Sequence, residues 1–317
     1  MKRALMIGID KYKNFPRLSG CVNDVNAMAP LLAKNADGSR NFECRALLGG
    51  RDPVSRKDII RGINDLLAPG AEVALFYFAG HGIGLTNDVS LASVDGDWIE
   101  PGVPLSLLLG KAQDSKIEQV IVILDCCHSG GGGGNAMLGP SVALLRSGLA
   151  VMGAARADQI AMETPDGRGQ FSFLLCGALE GGAADVTGKV SLAGVYAYLA
   201  ECFGAWDQRP TFKANLEESF ELRHTAPLVP LEHLRRLPDI FESASFELPL
   251  DPTYERESAT QIAENVAIYD VLTKYRDAKL IEFVGTPYLY YAAMESKPCR
   301  LTPHGQHYWQ LATKGLL

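Results

Sequence analysis

Ile121-Val122-Ile123-Leu124-Asp125-Cys126-Cys127-His128-Ser129-Gly130 is an apolar run of strand length that ends in two cysteines, a histidine and a turn. A second run, Val73 to Phe78, ends in Ala79-Gly80-His81-Gly82. Short apolar runs bounded by turn residues read as strands buried on both faces, the mark of a parallel sheet. In open α/β sheets the reacting groups gather at the carboxyl ends of the strands. One strand tip here offers a thiol and another an imidazole, so these two stretches bear on fold and chemistry together.

Working outward, Ala4 to Ile9 and Leu149 to Ala155 are further strand candidates. Asn23 to Lys34, Val54 to Leu67, Leu105 to Ala112, Phe171 to Leu179 and Leu192 to Phe203 read as helices, the first with Asn23 or Asp24 as N-cap. Alternating strands and helices predict an α/β/α sandwich around a mainly parallel sheet. Gly130 to Gly134, five consecutive glycines, predict a mobile loop beside the thiol.

Past Arg223 the pattern changes to a stretch rich in prolines and acids. The expected division is a first domain over 1–228, a linker over 229–259 with one helix at Leu231 to Ser243, and a small α+β domain over 260–317. In that last part Ala263 to Asp277 reads as a helix, Leu280 to Val284 and Tyr288 to Ala293 as strands, and Pro303 to Thr313 as a helix capped by Thr302.

The chain has 317 residues and a net charge of -7, which disfavours a general nucleic-acid binder. Its seven cysteines show no zinc-like spacing, so no metal or cofactor is expected. The apolar start is ended by Asp10, Lys11 and Lys13 and reads as a first strand rather than a signal peptide. With no run long enough to span a membrane, the expected location is the reducing cytoplasm.

A thiol becomes a strong nucleophile when a neighbouring base favours the thiolate, and a histidine can serve as that base. Gly80 and Gly82 are expected to form tight turns that let the His81 imidazole stand out. They would also free the Gly82 N–H, which with the Cys127 N–H could hold a developing oxyanion. Spacing alone does not separate Cys126 from Cys127.

Phe76-Tyr77-Phe78-Ala79-Gly80-His81-Gly82 and Asp125-Cys126-Cys127-His128-Ser129-Gly130 resemble the two catalytic blocks of bacterial caspase-like peptidases and metacaspases. Leu5-Met6-Ile7-Gly8-Ile9-Asp10-Lys11-Tyr12 and Leu18-Ser19-Gly20-Cys21-Val22-Asn23-Asp24 are similar to the opening strand and the first substrate-pocket segment of that family. Gly169-Gln170-Phe171-Ser172 and Gln208-Arg209-Pro210-Thr211-Phe212 resemble its small-subunit half, so the likeness runs from Met1 to about His224.

The resemblance implies a cysteine endopeptidase with Cys127 as nucleophile and His81 as base, leaving Cys126 to packing and His128 to the turn. It implies an S1 pocket built from Asp24 and Asp125 with Cys21 and Ala79, and hence cleavage of protein substrates after Arg or Lys. Ala79 stands where the family often has Ser, which leaves the choice between Arg and Lys open. Asp95 and Asp97 fit part of a calcium site, but the later acidic position falls in the glycine run, and a solvated loop is the better reading. Arg146-Ser147 lies where such enzymes are cut on maturation, making Arg146 a candidate self-cleavage site.

Leu280-Ile281-Glu282-Phe283-Val284, Tyr288-Leu289-Tyr290-Tyr291 and Leu301-Thr302-Pro303-His304-Gly305 resemble a winged-helix domain. Asp270, Asp277 and Glu282 offset Lys274, Arg276 and Lys279, which favours contact with a regulatory or upstream protein over DNA. Involvement in bacterial defence or cell-death signalling follows by analogy. Two other readings remain: a caspase-fold scaffold acting by binding, and a winged-helix DNA-binding regulator.

Overall fold

The computed structural model describes residues 1–49, 53–86, 88–128, 145–154, 167–203, 210–217 and 220–317, with positions 127 and 128 described by backbone register alone. The glycine run, and Gln208 with Arg209, lie outside the described residues. The chain divides into two compact units, one formed by Met1–Ala184 with Lys189–Thr225, the other by Asp185–Gly188 with Ala226–Leu317.

In chain order the first unit holds β1 (Lys2–Ile9), α1 (Cys21–Ala33), β2 (Phe42–Gly49), α2 (Arg56–Leu66), β3 (Val73–Leu85), β4 (Asp88–Ala92), β5 (Gly102–Pro104) and α3 (Leu105–Asp114). There follow β6 (Gln119–His128), β7 (Leu149–Gly153), α4 (Gln170–Gly177), β8 (Lys189–Ser191), α5 (Leu192–Cys202), β9 (Thr211–Asn215) and β10 (Glu221–His224). The main sheet has the order β2-β1-β3-β6-β7-β9, with β4 joined to the far end of β3 and β5 to β4. Its strands are parallel from β2 to β7, and β9 is antiparallel.

Period-two alternation sends the side chains of each central strand into two separate cores. Leu75, Tyr77, Ala79, Ile121 and Ile123 face one core with Val25 and Met28 of α1, Leu175 of α4 and Leu199 of α5. Phe76, Phe78, Val122, Leu124 and Cys126 face the other with Ile59 and Ile63 of α2 and Leu108 of α3. This is the expected α/β/α sandwich. Ser55 caps α2 through a reciprocal box with Asp58.

Two local expectations are corrected. The helix after β1 begins at Cys21 with Gly20 as its cap position, so neither Asn23 nor Asp24 is the N-cap. Strand β3 does not stop at Ala79 but runs on to Leu85, and β4 pairs back on it with Gly82 opposite Leu91. Neither Gly80 nor Gly82 has a positive φ, so no tight turn forms there.

The second unit contains α6 (Leu231–Arg235), α7 (Leu237–Ile240), β11 (Glu247–Pro249), α8 (Ala263–Asp277), β12 (Ile281–Phe283), α9 (Leu289–Met294), β13 (Pro298–Leu301) and α10 (Pro303–Thr313). The segment 229–259, read as a linker, belongs to this unit: Val229, Leu234, Leu237, Phe241, Leu250 and Tyr254 are in its core. Its expected single helix is two short ones, because Pro238 cannot donate a helical hydrogen bond and sits instead in the first turn of α7.

The strand expected at Tyr288 to Ala293 is the helix α9. Aromatic content suggested a strand, but Leu289, Ala292 and Ala293 are the buried positions, and that spacing is helical. In place of a pair formed by those two expected strands, the unit has a sheet of order β11-β13-β12. Thr302 does cap α10, accepting from the Gly305 N–H at 3.1 Å, with Pro303 in the first turn.

Candidate active site

From β1 the chain passes to β2 on one side and then to β3 on the other, so the sheet order reverses between β1 and β3. The carboxyl ends of strands at such a reversal open a crevice. The candidate residues gather around it. Asp10, just past β1, accepts from the Cys21 N–H at 2.8 Å and so anchors the start of α1, which carries Asp24.

Strands β3 and β6 are parallel neighbours, and His81 is in direct register with Cys127. Cys126 is buried in the core shared with α2 and α3, and a Cβ on Gly82 would lie 3.0 Å from its Sγ. The Cys126 side chain is therefore part of that core.

His81 is buried, with its ring 4.9 Å from Tyr12 and 6.2 Å from Phe15. Its backbone N–H donates to the Tyr12 hydroxyl at 3.0 Å. Its Nε2 lies 2.8 Å from the Pro16 carbonyl oxygen, which can only accept. The neutral ring accordingly carries its proton on Nε2, leaving Nδ1 as the basic nitrogen. Burial lowers the imidazole pKa below its ordinary value, and the Pro16 hydrogen bond offsets part of that.

The glycines flanking His81 serve close packing. A Cβ on Gly80 would meet the Tyr12 hydroxyl at 2.5 Å and the Phe78 ring at 2.9 Å. Gly80→Ala is expected to cost about 1–3 kcal/mol by overpacking and to displace the Tyr12 hydroxyl from His81. Denaturant unfolding checks it; an unchanged midpoint would show that the contact relaxes freely.

Asp24 is 2% exposed, and its carboxylate accepts from the Gly169 N–H at 3.1 Å, at the start of α4. Asp125 accepts from the Ser172 hydroxyl, which lies 2.5 Å from the buried Tyr77 hydroxyl. A Cβ on Gly169 would sit 3.3 Å from an Asp24 oxygen and 3.1 Å from an Asp125 oxygen, so both carboxylates converge on one point that glycine keeps open. Burial and the Asp125 charge push Asp24 up to about 8. Burial pushes Asp125 up to about 6, against the hydrogen bond from Ser172. Cys21 is buried beside them, and Ala79 is in register with Asp125.

Tyr12, Tyr77, Gly169 and Ser172 stand within the quoted motifs without a role there, and Pro16 stands in none of them. No local pattern signals these roles, because each acts through a contact 47 to 145 residues away in the chain.

Other candidates fall elsewhere. Asp95 accepts from the Arg56 N–H, and Asp97 accepts from the Ile99 and Glu100 N–H groups at 2.8 Å, so both hold local backbone. Among the described residues no group of three or more His, Cys, Asp or Glu side chains could hold a metal ion. The Arg146 guanidinium donates to the carbonyls of Ala112, Ile117 and Ser147 at 2.6 to 2.9 Å. It braces the end of α3, and cutting after Arg146 would first require these bonds to open.

The architecture is the caspase fold. Crystalline Caspase-1 from Spodoptera frugiperda superimposes with a TM-score of 0.51 at 11% identity, over 71% of this chain and 90% of that one. The caspase-domain family matches residues 1–221, and the chain belongs to that family. Metacaspase-1 of Botryotinia fuckeliana is 28% identical over 146 residues, covering 41% of this chain and 34% of the relative. Metacaspase-2 of Trypanosoma brucei brucei is 31% identical over 147 residues, covering 40% of this chain and 41% of the relative. The chain thus spans between a third and about two fifths of the curated relatives' length. No helix among the described residues is long and apolar enough to cross a membrane.

Proposed function

We propose that the protein is a cysteine endopeptidase that cuts protein chains after Arg or Lys with a Cys127–His81 dyad. The register of His81 with Cys127 carries the reading. His81 Nδ1 takes the thiol proton, and the thiolate forms a C–S bond to the scissile carbonyl carbon. The imidazolium returns the proton to the leaving amine as the C–N bond breaks, and water then hydrolyses the thioester. The Gly82 and Cys127 amides are the oxyanion donors that the family resemblance offers, Gly82 now from within β3, where it pairs with Leu91, and not from a tight turn.

The carboxylates of Asp24 and Asp125 supply the preference for a basic P1 side chain. They converge in a desolvated place, where a cation relieves their mutual repulsion and an acidic side chain would add to it. Cys21 and Ala79 complete that wall. Self-cleavage after Arg146 would be a later event that follows local opening of its carbonyl contacts. Through its second unit the protein would meet a regulatory or upstream protein partner, a role supported by the exposed Tyr288, Tyr290, Tyr291 and Met294 around α9. A cytoplasmic regulated effector of bacterial defence or cell death is the biological setting that fits these parts.

The test is hydrolysis of three fluorogenic peptides differing only at P1. Cleavage after Arg and Lys and not after Asp is expected. Cleavage only after Asp would sink the carboxylate reading, and absence of any cleavage would favour the scaffold.

A further inference from the structure

Ile99 is 88% exposed and Trp98 60%, an unusual cost for two large apolar side chains on a folded surface. The loop that carries them, between β4 and β5, is tightly held. Asp97 accepts from the backbone N–H groups of Ile99 and Glu100. Asn14 donates to the Gly96 carbonyl at 2.9 Å, and the Lys13 N–H donates to the Val94 carbonyl at 3.2 Å. A Cβ on Gly96 would lie 1.9 Å from the Pro101 oxygen, so the loop closes on itself as only glycine permits. Trp98 and Ile99 are thus displayed by a braced turn.

The indole meets Phe15 edge-on with ring centroids 5.0 Å apart, and Phe15 in turn packs on the His81 ring. An apolar ladder therefore leads from the imidazole to solvent. Its direction is set by β3. Ala79 stands in register with Asp125, His81 follows two residues on, and Ile83, two further, joins Phe15 and Ala92 in a small cluster. The carboxylates, the imidazole and the ladder thus follow one another along the strand.

In the proposed reaction the acyl half stays on the thiol with its P1 side chain at the carboxylates. The amine half departs beside the imidazole that protonates it. Chain beyond the scissile bond must then run past His81, away from Asp24 and Asp125, toward Phe15 and Trp98. The rings step 6.2 Å from His81 to Phe15 and 5.0 Å from Phe15 to Trp98, so at about 3.3 Å per extended residue the second or third residue after the cut comes within reach of the indole.

We propose that Trp98, seated on Phe15 and flanked by Ile99, is a specificity-determining residue that binds a large apolar side chain at P2′ or P3′ of the substrate. The inference rests on the peptidase reading above.

The experiment uses internally quenched peptides with P1 Arg and serine at all primed positions, and matched peptides with one Leu or Phe at P1′, P2′ or P3′. The quantity read is the ratio of kcat/KM for each apolar peptide to the serine peptide within one enzyme. For the wild type the ratio at P2′ or P3′ is expected to be about tenfold, the effect of covering part of an aromatic surface. In Trp98→Ala it should fall close to one, and Trp98→Phe should restore most of it. Because the ratio is taken within each enzyme, a variant with less folded protein still reports. Cleavage with no primed-side preference in the wild type, or a preference that survives in Trp98→Ala, overturns the subsite alone. Cleavage of none of the peptides overturns the peptidase reading and the subsite with it.

Discussion

Replacing Cys127 by alanine is expected to lower kcat/KM on a P1 Arg peptide by about ten-thousandfold or more, because no other group can form the thioester. His81→Ala should lose a comparable factor, and the double variant little more, since the two act as one unit. Cys126→Ala provides the contrast. Its side chain is buried in the opposite core, so the change should cost stability and leave the turnover of the folded protein. Kinetics and thermal melting measured together separate these outcomes. Activity retained in Cys127→Ala would end the nucleophile assignment, and activity lost in folded Cys126→Ala would transfer it.

Asp24→Asn is expected to lower kcat/KM for P1 Arg by about a hundredfold, the cost of leaving a buried guanidinium with one counter-charge, Asp125, in place of two. The asparagine can still accept from the Gly169 N–H, so the local hydrogen bond survives. The same substitution should make the fold more stable at alkaline pH. In the folded protein both carboxyl groups have pKa values raised above their unfolded ones, Asp24 to about 8 and Asp125 to about 6. The folded state then holds protons that the unfolded chain has released, so stability falls as pH rises from about 4 toward 8. Removing Asp24 removes much of that decline, and the melting advantage of the variant should widen over that interval.

A basic P1 residue acts in the opposite sense by favouring the ionised pair. For the wild type kcat/KM on the Arg peptide should therefore climb between about pH 6 and 8, where the pair loses its protons. Burial moves the His81 titration to the acid side, so the part of the climb that Asp24→Asn removes belongs to the carboxylates. A profile identical in wild type and Asp24→Asn would show that the pair does not meet the substrate. So would a melting difference that is flat with pH.

The strands that build the site were legible because they are buried on both faces and read as unbroken apolar runs with polar tips. For the same reason the α/β/α sandwich could be stated from Val73 to Phe78 and Val120 to Leu124. The second unit was less legible. Tyr288 to Ala293 is rich in strand-favouring aromatics, and only its packing shows that Leu289, Ala292 and Ala293 share a helical face. The segment 229–259 has the prolines of a linker, yet its apolar residues enter the core of the second unit.

What the chain determined by itself was the set of reacting types: a thiol near the end of one strand and an imidazole on its neighbour, with carboxylates nearby in the motifs. Local physics suffices for that, since strand tips and helix starts are written in runs of adjacent residues. What only the tertiary structure decided was which positions lie in register and which polar groups meet. Alternation in β6 sends Cys126 into the far core and leaves Cys127 in register with His81. The Pro16 carbonyl assigns the imidazole proton, and Gly169 leaves room where Asp24 and Asp125 meet. These contacts join residues up to 145 positions apart, and no local preference of the backbone encodes a meeting at that distance.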